Sequence, residues 1–186
     1  DLHRERFARH PWSLQGGGAV ELKQRVEIAA SRRLGATADI GFGGITGEDN
    51  IFMVGGEQNV RRLGLEHSRP LVIGEDLRDW FPPLSEQAVW PYSPDLELHE
   101  LDAVPAIHRF LWRARRGLER RKRFGVPMED LRLPWWSWRE LYVDRMRTPL
   151  SIAFASVATH NHFVLDRGGK VFKQSAPVIK LPQGAS

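Results

Sequence analysis

Eight arginines and lysines fall between residues 109 and 123, against a single carboxylate, Glu119. Guanidinium groups repeated at steps of three and four residues suit a polyanion, because each can neutralise a phosphate and release a counterion. Val104, Ile107, Leu111, Ala114 and Leu118 take one side of a helical wheel, and Arg109, Arg113, Arg116, Arg120 and Arg123 take the other. The spacing predicts one helix over about 103–123 that packs by its apolar side and presents an arginine stripe. The charge of the whole chain is divided the same way: residues 1–102 hold 11 Lys and Arg against 17 Asp and Glu, and residues 103–186 hold 16 against 6. A C-terminal half facing a polyanion is one reading, and a merely solvated basic surface is the other.

Phosphate contacts position a duplex, whereas reading a base needs groups that reach its edge. Arg139 and Arg167 have the bidentate geometry for guanine, and Asn50 and Asn161 have it for adenine. Thr46 and Asn50 lie in the block Gly43-Gly44-Ile45-Thr46-Gly47-Glu48-Asp49-Asn50-Ile51-Phe52. Its glycines permit a tight turn that leaves backbone amides and the Thr46 hydroxyl open to a ligand. A purely structural turn accounts for the block equally well. A second block, Pro70–Trp80, reads as a short apolar strand that stops at Gly74 before an acidic helical turn.

Other chemistry is missing. The chain has no cysteine, which removes disulfides, thiolate-bound zinc and thiol nucleophiles together. His160 and His162 can share a strand face, but no carboxylate or cysteine stands beside them, so the expectation is a structural pair with no metal. Gly16-Gly17-Gly18 is followed by no Gly-Lys-Ser/Thr and reads as a linker, not a phosphate loop. Pro82-Pro83 lacks the preceding polar acceptor and the following aromatic that grip an extruded adenine.

The elements that must hold these residues follow from periodicity. Leu22, Val26, Ala29, Ala30 and Leu34 predict an amphipathic helix stopped by Gly35. Strands are expected near 38–42, 51–54, 71–73, 87–92, 152–157, 163–165, 171–172 and 177–181, with a short helix near 58–63. Asp166-Arg167-Gly168-Gly169 is expected to close a hairpin between two of these strands. Trp12, Trp80, Trp90 and Trp112 are expected to pack, and packing is also favoured for Trp135, Trp136 and Trp138. With 41% hydrophobic residues the chain can bury one sizeable core. It has no apolar run near the roughly 20 residues that span a bilayer.

This order of blocks, with the basic helix, the tryptophan cluster and a late run of strands, resembles the target-recognition domain of adenine-specific DNA methyltransferases of the TaqI and type IIG class. Residues 11–23 and the stretch 158–172 around His160-Asn161-His162-Phe163 are most similar to the PglX-like enzymes of the Pgl/BREX phage-exclusion systems. The resemblance implies an α/β (α+β) fold with a mixed, largely antiparallel sheet, packed helices and an N-terminal linker helix. Residues 1–35 would lead from a catalytic domain lying outside the chain, which begins without Met, and residues 36–186 would be the recognition domain. It further implies double-stranded DNA as partner, together with the catalytic domain and other phage-defence proteins. S-adenosylmethionine would be bound by the parent chain and not by this segment, and the setting would be cytoplasmic with no membrane. Under that resemblance Arg109, Arg113, Arg116, Arg120 and Arg123 meet phosphates, and Thr46, Asn50, Arg139, Asn161, His162 and Arg167 lie near bases or grooves. Two other classes stay open: a protein-interaction module whose basic face meets an acidic partner or a DNA mimic, and an independent nuclease.

Overall fold

The computed structural model describes residue 8 and residues 18–78, 85–146 and 150–181. The Pro11–Gly17 stretch, Asp79, Trp80 and the Pro82-Pro83 pair, on which several of the expectations above fall, lie outside the described residues. The chain divides into two compact units, residues 1–37 and 38–186.

In the first unit, helix α1 (Ala19–Ala29) is followed by a 3-10 turn at Leu34–Ala36. Gly18 occupies the left-handed region at φ 83° where the helix begins. The helix ends at Ala29, with Ala30 already extended, and so stops short of the expected Gly35. No residue of α1 is buried, and Leu22 is 64% and Ile28 85% exposed. An 11-residue helix with no buried residue is marginal, which explains why its apolar pattern does not carry it through to Leu34.

The second unit is mixed α+β, and its sheets are mostly antiparallel. Strands β1 (Asp39–Gly41), β8 (Ser151–Phe154), β9 (Phe163–Asp166) and β11 (Val178–Lys180) form an antiparallel sheet in the order β1-β11-β8-β9. Period-two alternation sorts its side chains. Val178, Ala153 and Val164 stand in register and are buried, while Ile40, Ile179, Ile152 and Leu165 form the row on the opposite face. Strand β10 (Val171–Phe172) pairs in parallel with β3 (Ser68–Val72), which pairs antiparallel with β4 (Glu86–Val89). Two small pairs complete the set: β2 (Gly44–Ile45) with β7 (Glu140–Leu141), and β5 (Lys122–Arg123) with β6 (Val126–Pro127).

Three expectations about elements are corrected. Ile51–Val54 is not a strand: α2 (Asp49–Phe52) is a helical turn, and only Met53 bridges to Ala88. A four-residue apolar run cannot distinguish helix from strand by period. Here the fully buried Phe52 ring, edge-on to Trp138, fixes the helical turn. The 166–169 turn does not close a hairpin, because β9 pairs with β8 while β10 pairs with β3. Gly168 and Gly169, at φ 103° and 83°, instead carry the chain from one sheet to the other.

The long arginine helix is also broken. Its first part, α4 (Pro105–Trp112), starts with Pro105 at its first turn, where Glu66 accepts hydrogen bonds from the Ala106 and Ile107 amides. Ala114, at φ −106° and ψ 4°, then interrupts the helical path before α5 (Arg115–Glu119). Gly117 weakens the second part. Lys122 and Arg123 turn back through Phe124 and Gly125, at φ 50° and 85°, as one side of the β5–β6 hairpin. Helix α3 (Glu57–Leu63), near the expected place, ends at Gly64 in the left-handed region. A further helical turn, α6 (Val143–Met146), follows β7.

The main core gathers Phe52, Leu71, Val89, Trp90, Tyr92, Ile107, Leu111, Leu118 and Trp138. A second cluster under the four-stranded sheet gathers Val72, Leu77, Ala153, Val164, Phe172 and Val178.

Candidate nucleic-acid interface

The arginines survive the breaking of their helix as surface groups. Arg109, Arg113, Arg116 and Arg120 are exposed, and Arg123 is half-buried over the Phe124 ring, 5.7 Å from its centroid. Glu119 is occupied by Arg115 at 2.6 Å. Among the described residues no carboxylate forms an ion pair with Arg109, Arg113, Arg116, Arg120 or Arg123. The structure brings Arg113 and Arg116 together at the α4–α5 break, around a shallow depression that Trp112 and Arg115 also line. Arg109 stays on α4, Arg120 caps α5 and Arg123 lies on β5, so the stripe follows three elements and not one.

Trp112 corrects the expectation that it packs: it is 52% exposed, with the Arg115 guanidinium 4.6 Å above its ring. Arg115 also lies 5.7 Å from the ring of Trp135, which in turn contacts Trp136 edge-on. Trp90 and Trp138 are core residues as expected.

Arg121, on the same basic segment, has a different role that residue type does not reveal. It is buried at 5% exposure and donates to four carbonyls: from Nε to Leu118, from Nη1 to Thr46, and from Nη2 to Trp135 and Ser137. Burial lowers its pKa to about 10, still well above neutrality. Arg121 thereby ties the glycine turn to the tryptophan cluster.

The glycine turn is packed, not open. Gly44 lies against Trp138, since a Cβ there would come 2.8 Å from the indole Cε3. Gly47, at φ 78°, leaves no room for a side chain, because a Cβ would fall 2.9 Å from Arg139 Cβ and 3.1 Å from Arg121 Cδ. Thr46 does not present a free hydroxyl: it is 3% exposed and donates to the Asp49 carboxylate. Asp49 also pairs with Lys173 at 2.8 Å. Burial alone would raise the Asp49 pKa, but the hydrogen bonds from Lys173 and Thr46, with the Arg139 charge nearby, outweigh it and hold the pKa below the ordinary value.

A cleft of about 360 Å³ opens beside this turn. The 44–50 segment, Leu71, Trp138, Arg139, Lys173 and Gln174 line it. Asn50 and Gln174 are exposed; Arg139 is half-buried, 3.6 Å from Glu140, with its Nε buried and without a hydrogen-bond partner. Asn50 and Arg139, both singled out from sequence, therefore meet in one place. Lys173 and Gln174 were missed, since only the parallel pairing of β10 with β3 carries them to the turn.

Asn161 and His162 lie elsewhere, on the exposed 155–162 loop that joins β8 to β9. The His160 and His162 rings are 6.4 Å apart, and no cluster of three His, Asp or Glu able to hold a metal occurs among the described residues. Arg167 is exposed on the 166–169 crossing, where Asp166 accepts from Lys170 at 2.6 Å and from the Gly168 amide. Among the described residues no helix is long and apolar enough to cross a membrane.

Comparison with known proteins adds a relationship to this geometry. No protein-family model matches the chain. The adenine-specific methyltransferase PglX of Streptomyces coelicolor is 40% identical over 192 residues, which cover 100% of this chain and 16% of PglX. The structure of the type IIL restriction-modification enzyme MmeI in complex with DNA is similar in fold, with a TM-score of 0.57 and 11% identity, over 84% of this chain and 20% of that one. The chain is thus a relative of PglX along its whole length, spans only 16% of that protein, and shares a mixed α+β fold with part of a restriction-modification enzyme.

Proposed function

We propose that this chain is the DNA target-recognition part of a PglX-like adenine-specific methyltransferase that marks DNA in bacterial phage defence. The observation that carries the reading is the set of exposed arginines with no carboxylate paired to them among the described residues, in a relative of an adenine-specific methyltransferase. Arg109, Arg113, Arg116, Arg120 and Arg123 grip phosphates along the duplex. Asn161, His162 and Arg167 reach towards base edges from the two exposed loops, and Asn50 and Arg139 act from the cleft. Thr46 serves by holding Asp49 and the turn in shape.

Methyl transfer from S-adenosylmethionine to the adenine N6 belongs to the remainder of the longer protein. The sequence here contains no Asn/Asp/Ser-Pro-Pro-aromatic loop. Residues 1–35 form the linker towards that catalytic part, and the setting is the cytoplasm. Titration of the chain with labelled duplex tests the reading. Arg113→Glu with Arg116→Glu should weaken binding to all sequences alike and reduce the salt dependence by roughly two counterions; unchanged affinity and slope would make the arginines bystanders.

A second reading is a docking module for an acidic protein or DNA mimic, favoured by Trp112, which is half exposed beside Arg113 and Arg115. Tryptophan and arginine are enriched at the energetic centres of protein interfaces. Duplex titration at low salt separates the two readings: the phosphate grip requires binding that falls with salt, whereas a docking module should show none.

A further inference from the structure

The β5–β6 hairpin ends in a ring that its own turn does not favour. Lys122 pairs with Pro127 and Arg123 with Val126, which leaves a two-residue turn of Phe124 and Gly125. Both residues have positive φ, 50° and 85°. Two-residue hairpin turns take this form because it matches the twist of the strands, and Asn, Asp or Gly ordinarily fills the first place. A bulky side chain there crowds its own backbone. Three non-glycine residues have positive φ among those described: Leu96, Phe124 and Arg132. Leu96 places its side chain in the core, and Arg132 keeps its charge at the surface. Burial does not offset the cost at Phe124, which is 82% exposed and the most exposed aromatic among the described residues. Strained backbone of this kind collects at sites that clamp ligands.

The hairpin is basic along its length and apolar at its tip. Arg120 and Lys122 are exposed, and the Arg123 guanidinium lies 5.7 Å from the Phe124 ring centroid. Among the described residues no carboxylate forms an ion pair with Arg120, Lys122 or Arg123. Glu129 and Asp130 follow only after the Met128 amide has closed the base of the hairpin on the Arg121 carbonyl. Val126, 42% exposed, adds apolar surface next to the turn. The base is anchored, because the buried Arg121 side chain donates to the Thr46, Trp135 and Ser137 carbonyls. The result is a short arm with a fixed root, cationic sides and an aromatic end. Stacked base pairs flanked by phosphates are complementary to both parts of it.

We propose that Phe124 is a wedge that enters between adjacent base pairs of the duplex, opens their stack and bends the DNA at that step, while Arg120, Lys122 and Arg123 hold the flanking phosphates. The proposal rests on the DNA-binding reading above and adds a residue and a mode of readout to it. Apolar wedges of this kind bend a duplex by about 20–90°. A step that unstacks easily, such as TA or CA/TG, costs less to open, so the wedge discriminates without touching a base edge.

The test places donor and acceptor dyes on the two ends of a duplex of about 20 base pairs and follows energy transfer and affinity as the chain is added. Transfer should rise on binding, as the ends approach. Phe124→Asn should abolish that rise and weaken binding about five-fold or more, the scale of one aromatic stacked on a base. Its salt slope should stay that of the unaltered chain, because no charge is removed. The variant should also melt no earlier than the unaltered chain, since Asn suits the turn. The proposal is overturned if the bend and the affinity survive Phe124→Asn, or if that variant melts earlier, which would make the ring a prop for the hairpin. Salt-dependent binding of a duplex that stays straight would sink the wedge alone. Absence of any duplex binding would sink the DNA-binding reading with it, so the two failures are distinguishable.

Discussion

Arg121 has the geometry of a structural clamp within a segment that otherwise points to solvent. Its guanidinium satisfies carbonyls on three separate stretches; Arg121→Ala would leave those of Trp135 and Ser137 without a donor, while Thr46 keeps the Arg139 amide and Leu118 the backbone amide of residue 121. At about 1–3 kcal/mol for each orphaned group, the loss should be roughly 3 kcal/mol or more, read by chemical denaturation. Gly47→Ala should cost about 1–2 kcal/mol, because it forces a left-handed backbone on a residue with a side chain and drives that side chain into Arg139. Gly43→Ala, where the nearest atoms are 3.7 Å away, should be close to neutral in the same assay. The Asp49 pKa is depressed in the folded chain, so the contribution of this carboxylate is present above its unfolded value and is lost as pH falls through the folded one. The stability difference between Asp49→Asn and the unaltered chain should therefore be flat from about pH 5 to 8 and shrink only below about pH 4. A difference that varied around neutrality would show that another group controls the clamp.

At the scale of elements, the break between α4 and α5 is where sequence and structure part most clearly. Apolar residues at steps of three and four run unbroken from Val104 to Leu118, so periodicity alone extends one helix to Arg123. Two long-range demands end it earlier: Leu118 must enter the core, and Arg121 must reach the Thr46 and Ser137 carbonyls. Neither demand leaves a mark within a window of neighbouring residues. Gly117 meets no heavy atom that a Cβ would strike, so Gly117→Ala should stabilise α5 by about 0.5–1 kcal/mol in thermal denaturation. Destabilisation would mean that the break itself is under strain. The strands at 39–41, 68–72, 151–154, 163–166, 171–172 and 178–180 were legible because alternation and β-branched residues act locally. Their pairing was not legible: the glycine pair after β9 suggested a hairpin, yet β10 leaves for a parallel partner some hundred residues earlier in the chain. The same crossing hid half of the cleft, since Asn50 and Arg139 could be chosen by residue type but Lys173 and Gln174 arrive only with that topology.

For the molecule as a whole, charge is unevenly distributed: residues 1–102 hold 11 Lys and Arg against 17 Asp and Glu, and residues 103–186 hold 16 against 6. Asp49 and Glu140 are engaged locally, by Lys173 and Arg139, while Arg109, Arg113, Arg116 and Arg120 face water. That arrangement suits the proposed grip on a polyanion. The similarity to PglX runs over the entire chain, and the fold is shared with part of MmeI. The most direct measurement is the affinity of the chain for a labelled duplex as a function of salt, with and without charge reversal at Arg113 and Arg116. Affinity should fall steeply with salt, and the slope should be shallower by about two in the double variant. Duplex binding that ignores salt, or a slope left unchanged by the reversal, would contradict the proposed grip.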